Sequence, residues 1–145
     1  MIVSALLSLA LTAAQPPADA SAWRTETAGE SVAWGAADGA GNGIRIRCRP
    51  GGRLEIRGTA APDALPGIPT RVTFRRGAEN VTLLAVTVEG DSGSLLSIPV
   101  AANELPIATL LAGATLTIAI GDESREVPGA GAPAVLGPLV EACRR

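Results

Sequence analysis

Gly90-Asp91-Ser92-Gly93 sets a serine between two small residues and behind a carboxylate, an arrangement able to expose a hydroxyl for attack on an acyl carbon. A serine attacks at neutral pH only when a neighbouring base removes its proton, most often a histidine and in some enzymes a lysine. The 145-residue chain has no histidine, and all 12 of its basic residues are arginine, which stays protonated. Gly, Asp and Ser are also the residues of hairpin loops, tolerant of positive φ and able to hydrogen-bond locally, so residues 90–93 are read as a turn.

Paired acids are the remaining route to acid–base chemistry. Asp122 with Glu123, or Glu89 with Asp91, could bring two carboxylates together, but both pairs fall in predicted turns, where acids are ordinarily solvated. No Gly-rich phosphate loop precedes a helix, and no His/Cys/carboxylate cluster has metal-ligand spacing. No catalytic residue, cofactor or metal is expected, and a carboxylate-dependent hydrolase is the enzyme alternative.

The chemistry the chain is rich in is anion recognition. Between Ile44 and Arg76 stand eight arginines against Glu55 and Asp63, a segment charge of +6; between Gly77 and Glu126 stand seven acids against Arg125 alone, a charge of −6. Guanidinium groups pair bidentately with carboxylate or phosphate. Arg45, Arg47, Arg57, Arg71 and Arg75 form the candidate binding face, balanced either by internal acids or by an acidic protein or anionic envelope polymer. Nucleic acid is disfavoured by a net charge of −2 and by aromatics at 2%, with neither Trp23 nor Trp34 in the basic segment.

Strands must position these side chains. "GIRIRCR" alternates Ile44, Ile46 and Cys48 on one face with Arg45, Arg47 and Arg49 on the other, the period-2 pattern of a half-buried strand. Pro50-Gly51-Gly52 turns the chain, and "RLEIRG" returns with Leu54 and Ile56 inward and Arg53, Glu55 and Arg57 outward. After a Pro-rich loop, "TRVTFRR" repeats the pattern and is expected to join that hairpin as a third strand. "NVTLLAVTVEG" and "SLLSIPV" make a second hairpin around the turn at 90–93. In "NELPIATLLAG", Asn103 is the expected N-cap of a short helix and Gly113 its C′ residue. "ATLTIAI" is a strand, Gly121-Asp122 turns it toward a brief strand at 124–127, and Val135, Leu136, Leu139, Val140 and Cys143 mark one stripe of a terminal helix in which Pro138 removes a backbone donor and could kink or delay the helix. The fold class is mainly β with added helices: an antiparallel, sandwich-like sheet with a short internal helix and a C-terminal helix.

Ile2 to Ala14 is apolar and followed by small residues, which reads as a secretory signal over 1–20 with cleavage after Ala14 or Ala20, leaving one domain over 21–145 without a transmembrane span. Cys48 and Cys143 are the cysteines, and an even pair in an exported chain favours a disulfide. Trp23 is placed to anchor the start of the mature fold.

A Trp opening the domain at 23, the "IRIRC" strand ending in Cys48, the "ELPIATLLAGATLTIAI" helix-then-strand unit and the apolar helix running into Ala142-Cys143 together resemble the periplasmic type VI secretion-associated proteins of the VasI/TagO kind. The resemblance covers most of residues 23–143, lacks that family's upstream Cys pair, and implies a non-enzymatic envelope accessory protein with a disulfide joining strand and helix. The sequence therefore leads to an expectation of a non-catalytic periplasmic or secreted binding protein. A small-molecule carrier is the alternative of another class.

Overall fold

The computed structural model describes residues 23–35, 43–60, 65–90 and 93–145. The leader read over 1–20, its cleavage points, and Asp91 and Ser92 of the turn lie outside the described residues.

Alternation folds β3 (Ile44–Arg49) and β4 (Arg53–Thr59) into a hairpin whose Ile44, Ile46, Leu54 and Ile56 are buried. Gly51 and Gly52 take φ of 87° and 76°, the left-handed region that favours glycine. That three-residue loop fixes the register Arg49↔Arg53, Arg47↔Glu55 and Arg45↔Arg57. The same logic closes β5 (Pro69–Arg76) on β6 (Glu79–Gly90). Gly90 opposite Gly93 leads β6 into β7 (Gly93–Val100), and Gly121-Asp122 joins β8 (Leu116–Ile120) to β9 (Glu123–Val127). Among the described residues all pairings are antiparallel, in one nine-stranded sheet of order β1-β2-β3-β4-β7-β6-β5-β8-β9. The protein is thus mostly antiparallel sheet with an internal helix, a C-terminal helix and one disulfide.

Two features depart from the sequence pattern. The first is a pair of short strands, β1 (Arg24–Thr27) and β2 (Ser31–Trp34), which extend the sheet beyond β3. Four residues each, with mixed burial, give too few positions for a period of two to register. The second is the place of β5: it shares the sheet with the β3–β4 hairpin but does not lie beside it. Ile98 and Val100 of β7 stand opposite Ile56 and Leu54 and so continue the apolar rows of β4, while both edges of β5 are taken by β6 and β8.

Helix α1 (Leu105–Leu111) is capped at Glu104 and not at the expected Asn103. The reason is the turn before it: Glu104 N–H donates to the Ala101 carbonyl at 3.1 Å and its carboxylate accepts from Ala101 N–H at 2.9 Å, so the chain becomes helical only after both bonds close. Its other end follows expectation. Gly113, at φ 72°, donates to Leu110 O and Ala114 donates to Thr109 O, the paired bonds of a Schellman stop.

Helix α2 (Ala132–Cys143) buries Leu136, Leu139, Val140 and Cys143, and both helices pack on the sheet face that carries Ile46, Leu54, Ile56, Val72, Phe74 and Leu116. Among the described residues no helix is long and apolar enough to cross a membrane. Cys48 is bonded to Cys143 with their Cα atoms 5.5 Å apart, tying β3 to the last turn of α2. Trp23 is buried, and its indole N–H donates to the Pro128 carbonyl at 2.7 Å, fastening the approach to β1 to the exit from β9.

Between the two helices the backbones nearly touch. A Cβ on Gly129 would stand 2.1 Å from the Ala114 carbonyl oxygen and 2.5 Å from the Gly113 carbonyl carbon, neither of which can move without opening the α1 stop. Gly129→Ala is therefore expected to destabilise by about 2 kcal/mol, the usual scale of overpacking, seen as a lower midpoint in urea unfolding.

Candidate anion-binding face

Because β3 and β4 alternate, their outward positions form a block of charge: Arg45, Arg47 and Arg49 on one strand, Glu55 and Arg57 on the next. Like charges in register repel unless something balances them. Glu55 balances three of them. Although it projects from the outer face, only 5% of the residue is exposed, since the guanidinium groups close over it.

Its Oε1 accepts from Arg47 Nε at 2.7 Å and from Arg57 Nε at 2.5 Å, and its Oε2 accepts from the Ser97 hydroxyl at 2.7 Å and from Arg49 at 3.4 Å. Burial pushes the Glu55 carboxyl up, but the Ser97 hydroxyl, the Arg57 hydrogen bond and the charges of Arg57 and Arg47 outweigh it and hold it below the usual carboxylate range. The carboxylate therefore stays ionised at the centre of the block.

A second carboxylate, Glu26 of β1, holds the next two cations. It accepts from Arg45 Nε at 2.5 Å and from Arg45 Nη2 at 3.2 Å, and lies 3.5 Å from Arg24, whose other amino group donates to the Gly35 carbonyl at 2.9 Å. Two carboxylates thus hold five guanidinium groups, and among the described residues this cluster of seven side chains carries a net charge of +3.

The tethers matter as much as the charge. Arg47 and Arg57 are bound through Nε alone, so among the described residues their terminal amino groups, four N–H donors on each, are uncommitted. Each guanidinium is oriented yet still able to grip an anion.

The other two arginines of the candidate face lie elsewhere on the same side of the sheet. Reading across the strands, Arg24, Ala33, Arg45, Arg57, Ser97, Val86 and Pro69 form one outward row, so Arg71 and Arg75 of β5 share that face. With β7 and β6 between them, β4 and β5 are about 14 Å apart. Arg71 and Arg75 are exposed, and among the described residues neither is held by a carboxylate. Arg71 stands opposite Leu84, which is 59% exposed; Val86, Leu65 and Ile68 complete the exposed large apolar side chains of the described residues, and all four belong to this corner.

Asp122 and Glu123 are exposed at the β8–β9 turn, and the Asp91 of the other acid pair lies outside the described residues. Three contributors were missed in the sequence reading: Glu26 and Arg24, on a strand with no periodic signal, and Ser97, which reaches Glu55 only because β7 docks on β4. The central place of Glu55 was legible in principle, since a three-residue turn at 50–52 already sets Glu55 opposite Arg47.

No family model, no curated protein and no solved structure matches this chain.

Proposed function

We propose that the protein is a non-catalytic binding or accessory protein of the bacterial cell envelope, acting in the periplasm or after secretion, that recognises an acidic protein or an anionic envelope polymer through its arginine face. The observation that carries this reading is the mode of attachment of Arg47 and Arg57, fixed at Nε with their terminal donors uncommitted among the described residues and with charge left over. Oriented guanidinium groups lose little entropy on binding, which favours bidentate recognition of carboxylate or phosphate. Arg71 and Arg75 beside Leu84 and Val86 extend the face with the mixed basic and apolar character of a protein contact. The Cys48–Cys143 bond fits an oxidising compartment, and the resemblance to the VasI/TagO kind is the reason to look among secretion-system components first.

Arg71→Glu/Arg75→Glu is the informative variant, because among the described residues neither side chain holds a carboxylate and both are exposed. Captured from native envelope extract, the partner retained by the wild-type chain is expected to be lost by this variant and weakened by Arg47→Gln. Equal retention by all three proteins would remove the arginine face from the binding event. A small-molecule carrier is the second reading, favoured by a cleft of about 380 Å³ at the β1–β4 end of the same face, within the size range of ligand sites.

A further inference from the structure

The cleft lies along the row in which Arg24, Ala33, Arg45 and Arg57 stand side by side on β1, β2, β3 and β4. Ala33 is the short member of that row, buried to 4% exposure, and the larger neighbours rise on both sides of it. Glu26 pairs with both Arg24 and Arg45 and so places a carboxylate across the gap above Ala33, offsetting one of their two charges.

The next gap is different. Arg45 and Arg57 are directly opposed in register, a like-charge pair, yet their anchors differ: Arg45 is held by Glu26 of β1, and Arg57 by Glu55 of its own strand. No carboxylate among the described residues bridges the two, and both line the cleft. From this geometry we infer that the cleft is a binding site for an organic monocarboxylate, its carboxylate bridging Arg45 and Arg57.

Charge and surface select that class. Glu26 also lines the cleft, so a second negative charge on a small ligand held inside it would be repelled, which disfavours a phosphate dianion there. Leu95, which shares the outward side of β7 with Ser97, gives apolar surface for an organic body beside the carboxylate. The inference rests on reading the arginine face as a binding surface, and the ligand is either a free small acid or a carboxylate of a polypeptide.

The test is a titration of the full chain, labelled with ¹⁵N and followed at the arginine Nε–H signals, with butyrate, butyramide, inorganic phosphate, and a tripeptide in its free-acid and C-terminal amide forms. Butyrate is expected to shift the Arg45 and Arg57 signals saturably without moving that of Arg71, and butyramide is expected to shift none. Arg45→Gln should weaken butyrate roughly tenfold, the loss of one charged hydrogen bond, and Arg57→Lys, which keeps a cation beside Glu55, should do the same while the chain remains folded at the titration temperature.

A free-acid tripeptide that binds tighter than butyrate assigns the carboxylate to a polypeptide, and the reverse order assigns it to a free acid. Equal shifts from butyramide, phosphate binding tighter than butyrate, or affinity unaffected by both substitutions would each overturn the site. Butyrate binding beside a failed envelope capture would remove only the macromolecular partner, whereas capture without butyrate binding would remove only this cleft.

Discussion

Replacing both bridge cysteines, Cys48→Ala with Cys143→Ala, is expected to lower the unfolding free energy by about 4–5 kcal/mol and the thermal midpoint by roughly 15 °C. The bond spans a sequence separation of 95 residues, so in the unfolded chain it excludes most of the conformations that the open chain explores. The folded side changes less, because Cys143 is one buried position in a helix already held by Leu136, Leu139 and Val140. Urea unfolding of the oxidised wild type and of the double variant at neutral pH checks it. A loss below about 1 kcal/mol would mean that the unfolded chain retains the β3–α2 contact without the covalent link.

Glu55→Gln is expected to cost about 2–3 kcal/mol at neutral pH, below the range for breaking a fully buried pair because Arg47 and Arg57 keep part of their side chains in water. Three arginines would then crowd a neutral amide, and the Arg45↔Arg57 and Arg49↔Arg53 pairs would repel with less between them.

The effect has a pH signature. The folded state holds the Glu55 pKa below that of the unfolded chain, so its stabilisation is fully present above the ordinary glutamate value of about 4.3 and is lost as pH falls through the lower, folded value. The gap between wild type and variant should therefore be constant from neutral pH down to about 5 and close below about 4. A gap that persists unchanged through strongly acid solution would show that the cost comes from packing and not from the charge.

What could be read beforehand was what is local. The β3–β4 register follows from an alternating pattern and a three-residue glycine turn, and the α1 stop follows from Gly113. Long-range choices were not legible. That β7 and not β5 lies beside β4 depends on which apolar rows match best across the sheet, a property of two strands together and of neither alone. The candidate face inherits that division. Its arginines and their outward direction are local facts, whereas the burial of Glu55 depends on Ser97 arriving from β7, and the cleft depends on β1 and β2, whose four-residue strands carry no pattern.

The β4–β7 pairing also sets an order of events in time. The β3–β4, β5–β6 and β8–β9 hairpins each close over a few residues and form on the microsecond scale, but β4 must wait for β7, across the intervening β5–β6 hairpin, before the two halves of the sheet become one. Loop-closure entropy puts that docking late. Glu55 gains the Ser97 hydroxyl only at that step, so until then the nascent hairpin carries its arginines around a carboxylate still open to water, and the basic face reaches its native arrangement only when the two halves of the sheet join.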